Sequence, residues 1–442
     1  MSETTAQQTL DEWIAKDAVA FSLDEPHSFN SAVDRIVSAL GDSVELLGFG
    51  EALHGGEEIL LLRNRLFQRL VENHGYTAIT IESSFPRGVA VDDYIGGRGA
   101  ASYDAVAESG FSHGFGKLEA NRELIEWMRV YNADAAHPLK LRFYGFDSPT
   151  EMMATDSPRQ LLTFALDYLD RVSSPTASTG APQRRQRVQE LLGSDADWEN
   201  PAAMMDPSKS VGGSAAAISL RIEAEELIGH LHLRRPEFIR SSGRDDYLQA
   251  LQHALVARQF LNYHATLARA TPERMMELLG IRDVIIGDNL VYAAERERGR
   301  GKVFAFGHNA HLKRGQMQWQ LGPHALAWWP GGAHASEMLR ERYAVIGTGV
   351  GTSEQNGIVQ PQANTLEALL AGAPGPVRFL PTRRGEHLFP NEIQKLNIRS
   401  TSPRNSTYFP FTSQSLTDFD ALTLLDAVTY TRGGPALPPP QA

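Results

Sequence analysis

The sequence predicts an α/β protein: a central, mostly parallel sheet flanked by helices and interrupted by a large helical insertion, or cap. Three observations carry this. Short apolar runs rich in β-branched and aromatic residues recur at 44–50, 76–82, 139–147, Lys302–His308, 343–349 and 377–380. Longer stretches of helical period separate several of them. Between about 151 and 300 the strand signal vanishes altogether.

Taken in order, the strand 44–50 leads into Glu57–His74, where Ile59, Leu62, Leu66 and Leu70 repeat at three- and four-residue steps and form one apolar stripe. The strand 76–82 follows at once, and strand, helix, strand is the unit from which parallel sheets are built. Residues 1–150 and 301–442 are therefore assigned to the α/β core and 151–300 to the helical insertion. Helices are expected there at 161–171, 183–192, Ala215–Leu233, 245–270 and 273–298. Two stretches inside it, 173–182 and 207–213, are rich in Ser, Gly, Pro and Ala and are expected to be mobile connections rather than packed elements. The Pro-rich tail 433–442 is expected to be disordered, and no internal repeat points to a solenoid.

A chain of 442 residues, 42% of them hydrophobic, can bury a large core. Its formal charge of −11, from 53 acidic against 42 basic residues, lacks the positive field that a phosphate backbone requires, so nucleic acid is not an expected partner. Cysteine is absent, which excludes disulfides, thiolate metal sites and a cysteine nucleophile and fits a reducing cytoplasm. Residues 1–6 show no basic segment followed by an apolar stretch, and no run reaches the roughly 18 apolar residues of a spanning helix. A cytoplasmic protein without a membrane partner is the expectation.

Chemistry gathers where strands end. Leu46-Leu47-Gly48-Phe49-Gly50-Glu51-Ala52-Leu53-His54 is a buried strand that breaks at glycine and ends in polar groups, and ligands of open α/β sheets bind at such carboxyl ends. Glu51 and His54 are three apart, so a turn would bring them to one side and let the carboxylate orient the imidazole as a general base; a capping Glu beside a surface His is the plainer alternative. The strand 76–81 places Glu82 at another terminus, where two acids flanking one crevice could divide into an acid and a charged base. Otherwise Glu82 forms a structural ion pair with Arg87 or Arg63. The run Val303-Phe304-Ala305-Phe306-Gly307-His308-Asn309-Ala310-His311 repeats the layout, and its two histidines suit metal binding, proton transfer or donation to an oxyanion. Arg63, on the apolar helix, needs an anion such as Glu51, Glu82 or a substrate carbonyl, unless it snorkels to the helix edge. Gly110-Phe111-Ser112-His113-Gly114 matches the G-x-S-x-G pattern, but 103–108 before it is not the hydrophobic strand that a nucleophile elbow needs. The glycines at 48–50 and 114–116 complete neither a dinucleotide fingerprint nor a phosphate loop.

The stretch 48–86, GFGEALHGGEEILLLRNRLFQRLVENHGYTAITIESSFP, resembles the opening signature of the erythromycin esterase family, and GHNAHL at 307–312 resembles its second His-rich motif. Weaker agreement runs through 92–97, 127–132, 144–147, 282–289 and 419–422. The resemblance implies an α/β core with a helical subdomain over a deep cleft, hydrolytic opening of a macrolide lactone, and neither metal nor cofactor. By it the general base matches His54, while Glu51, Arg63, Glu82, His308 and His311 match the other catalytic cleft residues. His113, Glu119, Arg87, Asp147 and Arg282, in or beside these segments, are assigned to substrate binding.

At 110–119 the sequence reads GFSHGFGKLE, where family members usually carry tryptophans, so a small-molecule ester or lactone other than a macrolide is a further expectation. Three alternatives stay open at this level: a metallohydrolase using the same His and Glu cluster, a biosynthetic acyl-transfer or cyclising enzyme, and a non-catalytic ligand-binding protein.

Overall fold

A computed structural model describes residues 9–151, 155–172, 181–321, 324–382 and 389–437. The expectations made for 1–6, for most of 173–182 and for 438–442 fall outside the described residues. The strands are β1 (Val19–Phe21), β2 (Leu46–Glu51), β3 (Tyr76–Ser84), β4 (Arg142–Asp147), β5 (Lys302–His308), β6 (Met317–Leu321), β7 (His324–Trp328), β8 (Tyr343–Thr352), β9 (Val377–Pro381) and β10 (Ala421–Ala427). Eight of them form one sheet in the order β1-β9-β10-β8-β2-β5-β3-β4, and β6 and β7 make a separate hairpin. From β10 to β4 the neighbours are parallel; β9 joins β10, and β1 joins β9, antiparallel.

Both faces of the sheet are covered, which is why β2 and β3 are buried at every position and read as unbroken apolar runs rather than alternating ones. One face packs Leu47, Phe49, Phe304 and Ile79 against Leu62, Leu66 and Phe67 of the helix Glu57–His74. The other packs Leu46, Val303, Ala305 and Val345 against Ile286 and Leu290 of the helix Arg274–Glu297. The apolar run expected from 139 pairs only from Arg142, because Leu139 is exposed and the sheet begins one turn later.

Between β4 and β5 the chain forms the helices Arg159–Val172, Ala181–Leu192, Ala215–Leu233, Arg235–Ser242, Arg244–Leu267 and Arg274–Glu297. Their inward faces build a core of their own around Leu162, Leu220, Phe238, Phe260 and Leu278, to which the sheet side contributes Phe85. The stretch 207–213 corrects its expectation. It is two tight turns, and a Cβ at Gly212 would stand 1.9 Å from the carbonyl oxygen of His264, so this glycine serves close packing and not mobility. Order likewise extends past Arg432, since Gly433 lies against the main chain of Lys117. Among the described residues no helix is long and apolar enough to cross a membrane.

Candidate active site

Four neighbouring strands, β2, β5, β3 and β4, bring their last residues to one edge of the sheet. Glu51 ends β2 directly opposite His308, which ends β5; Glu82 stands near the end of β3 and Asp147 ends β4. The register of β3 against β4 shifts between Ile81 and Ser84, the kind of step that re-aims a side chain beside a site. The glycine before each polar pair has a packing reason. A Cβ at Gly307 would stand 2.9 Å from Cβ of Glu82 and 2.5 Å from the Phe146 ring, so only glycine lets Glu82 lie over β5. Glu82 Oε2 then accepts from the main-chain N–H of His308 at 2.6 Å.

His54 sits in the turn after β2. Its Nδ1–H donates to Glu51 Oε1 at 2.7 Å, which leaves Nε2 facing Glu82 Oε1 at 3.8 Å. The ring is 28% exposed. Its main chain is held by the loop 405–409: Thr407 Oγ1 accepts from His54 N at 2.9 Å, and Asn405 Nδ2 donates to His54 O at 3.0 Å. Burial opposes a charge on this imidazole, but the field of Glu82 and the hydrogen bond and charge of Glu51 outweigh it and lift the ring to about 9. Burial pushes Glu51 upward against the pull of His54. Burial would also raise Glu82, yet His311, His54 and Arg282 hold it down to about 2.

The two later histidines have different jobs. His308 Nδ1 accepts from Ala310 N–H at 3.1 Å, and its Nε2–H donates to the carbonyl of Thr407 at 2.8 Å. Both nitrogens are thus committed to main chain, and burial, with the charge of His54 next in weight, keeps the ring neutral, down to about 3. His308 fixes the β5 terminus and the loop 405–409 and has no proton or lone pair to spare. His311 donates from Nδ1 to Asp283 Oδ1 at 2.8 Å and holds Nε2 at 3.5 Å from Glu82 Oε1. Burial opposes its charge, but Asp283 and Glu82 prevail and the ring is raised.

Arg282, on the helix Arg274–Glu297, forks onto Asp147 at 2.9 and 2.6 Å and reaches Glu82 Oε1 at 3.4 Å. His113, in the left-handed region with φ 57, holds Asp147 from the other side at 2.9 Å, and its N–H meets Glu151. Arg63 departs from expectation: this buried guanidinium donates to Asn64, Asn121 and the carbonyl of Ala120, over the Phe306 ring, with no carboxylate among these partners. Burial lowers it to about 10. A narrow cavity lined by Glu51, Arg63, Glu82, Phe115 and Asn121 lies beside it, and Glu51 Oε2 is buried without a hydrogen-bond partner.

Glu51, His54, Glu82, His308, His311, Asp147, Arg282 and His113 are therefore brought together, with Arg63 at their flank. Arg87 and Glu119 are not. Arg87 pairs with Asp156 at 2.8 Å, and the half-exposed Glu119 lies 3.7 Å from Arg122. Ser112 is buried as a structural link, its Oγ accepting from Ser84 N–H, after a helix at Tyr103–Ser109 instead of a strand. Sequence reasoning missed the supports Asp283, Asn405 and Thr407, and Phe115 against the His54 ring. Among the described residues no three His, Asp or Glu side chains are arranged to hold a metal ion.

A family model for erythromycin esterase matches residues 71–428. The chain belongs to the erythromycin esterase family. Its match begins after Glu51, His54 and Arg63; the fold carries Glu51 and His54 to the same edge as the matched Glu82 and His311, with Arg63 at the flank. Erythromycin esterase type II of Escherichia coli is 22% identical over 317 residues, 69% of each chain. Three solved structures share the fold. A Bacillus cereus protein superposes with TM-score 0.74 at 18% identity, covering 96% of this chain and 98% of the other. A succinoglycan biosynthesis protein gives 0.69 at 19%, covering 98% and 100%. An erythromycin esterase mutant, EreC in its open conformation, gives 0.61 at 16%, covering 91% and 94%. Membership of the erythromycin esterase family supports a hydrolase.

Proposed function

We propose that this chain hydrolyses a carboxylic ester or lactone, a macrolide or another small polyketide, with water activated by His54 and without metal. The observation that carries the reading is the Glu51–His54 pair, with Nε2 of the ring 3.8 Å from Glu82 Oε1. That separation is too long for a direct hydrogen bond and close enough for one water to touch both groups. Glu51 fixes the tautomer, so that Nε2 of the neutral ring takes the proton as the water oxygen attacks the carbonyl carbon. Arg282, held by Asp147, which His113 braces in turn, and His311 supply positive charge toward the oxygen that becomes negative. Arg63 lines the same cavity as Glu51 and Glu82 and acts on Glu51 through its field. Phe115 lines the cavity, and the segment 110–119 around it holds no tryptophan, which favours an ester or lactone other than a macrolide.

The test is mass spectrometry of a panel of lactones and esters, macrolides included, for the gain of one water. His54→Asn is expected to fold normally and to lose about 10²–10⁴-fold in turnover, the range for a general base. Turnover within a few fold of the parent would remove His54 from the mechanism.

A further inference from the structure

The cluster contains a second carboxylate–histidine pair besides Glu51–His54, and both aim at the same atom. Nε2 of His54 lies 3.8 Å and Nε2 of His311 lies 3.5 Å from Glu82 Oε1. Behind His311 stands Asp283, in the middle of the helix Arg274–Glu297 and 1% exposed. Its two oxygens are fully committed. Oδ1 accepts from His311 Nδ1 at 2.8 Å and from Gly331 N–H at 2.9 Å, and Oδ2 accepts from the Trp328 indole N–H at 2.5 Å. An ionised carboxylate accepts but cannot donate, so Asp283 fixes the proton of His311 on Nδ1, and any second proton on that ring must sit on Nε2, toward the site.

We infer that Asp283 is a positioning residue that holds His311 as an imidazolium whose Nε2–H protonates the departing alcohol oxygen. This deepens the reading above and rests on it. The atoms balance. Water gives its proton to His54 as the C–O bond to the carbonyl carbon forms; the bond to the alkoxy oxygen then breaks as His311 transfers the Nε2 proton to it. Glu82 lies between the two rings and can return the proton from His54 to His311, which leaves acid and alcohol and restores the site. The titratable and charged groups that face His311 are Asp283 and Arg282 from the helix, Glu82 from β3 and His308 from its own strand end. Trp328 and Gly331 anchor the carboxylate, so its position does not depend on His311.

A general acid matters in proportion to how badly the leaving group needs a proton. The experiment compares an activated aryl ester with an alkyl ester or lactone of the same acyl group in the full-length protein, for the parent, Asp283→Asn and Asp283→Asn combined with Trp328→Phe. The double variant removes the indole N–H that an amide nitrogen would oppose and keeps the comparison valid if the single variant folds poorly. The expected result is a loss of about 10²-fold or more in kcat on the alkyl ester and less than about tenfold on the aryl ester. Removing the negative neighbour lowers the pKa of His311, so the alkaline limb of the alkyl-ester profile moves to lower pH. Equal losses on both esters, no loss on either, or an unmoved alkaline limb overturns the inference. His54→Asn separates this from the proposed function, because losing the base slows both esters alike; a variant that retains both activities defeats that reading first. NMR titration of His311 supplies a readout independent of turnover: its pKa must fall in the double variant, and an unchanged value overturns the inference.

Discussion

His54 can accept a proton only when Nε2 is free, and its two carboxylate neighbours work against that by lifting the ring to about 9. The sign follows. Activity on an ester should rise with pH as the ring deprotonates, with its acidic limb near that value. Glu51→Gln removes one of the charges, so the limb should move to lower pH while kcat drops, because the amide orients the ring less firmly. A limb that stays in place would show that Glu51 does not govern the protonation of His54, and kcat/KM profiles of the two proteins check this. At this scale the sequence was informative where residue type and position coincide. Glu51, Glu82 and His308 stand at or near the end of a buried strand and His311 just beyond one, and a polar group there has nowhere to go but the carboxyl edge. Asp283 stands in the segment 282–289 that resembles the family weakly, but it was given no role because an aspartate inside a helix looks like a solvated face. Arg87 and Glu119 were assigned to the site for standing near its motifs, but these partly exposed charges are satisfied by local partners, here Asp156 and Arg122.

Elements set the tolerances within which those side chains act. The loop 405–409 ties two strand ends together through Thr407, whose hydroxyl accepts from His54 N–H and whose carbonyl accepts from His308 Nε2–H. Thr407→Val keeps the shape and the carbonyl but leaves the N–H of His54 unsatisfied, at a cost of about 1–3 kcal/mol. A lowered Tm with kcat reduced more than KM is raised would be the expected pattern. Gly307→Ala should be harsher for the site, since its Cβ would meet Glu82 and Phe146; overpacking of this kind costs about 1–3 kcal/mol and displaces the carboxylate that both histidines face. Thermal melts beside rate measurements distinguish these effects. The central strands were readable because burial on both faces makes them continuous apolar runs. Others were not. β1 has three residues, β10 is leucine-rich and equally compatible with a helix, and the loop 405–409 works through main-chain groups that no residue pattern records.

For the whole molecule, the α/β class followed from alternating elements, and the long helical segment from the disappearance of strand signals after 151. Arg282 was assigned to the site by the family resemblance; what no local pattern could show is that this segment, with a core largely its own, also sends Asp283 back to the sheet edge. Weakening that core should therefore reach the chemistry. Phe260→Ala, fully buried among the helices, is expected to cost about 3–5 kcal/mol and to reduce turnover although it touches no group of the site. Unchanged activity in a clearly less stable variant would separate the segment from the reaction. The charge of −11 and the packed sheet are shared by many proteins, but one edge that gathers two carboxylate–histidine pairs around Glu82 is particular to this arrangement. The most direct test of water activation there is a single turnover in ¹⁸O-labelled water. One heavy oxygen is expected in the carboxylate of the product and none in the protein; label recovered in Glu51 or Glu82, with product unlabelled, would mean that a carboxylate attacks the ester and would contradict water activation by His54.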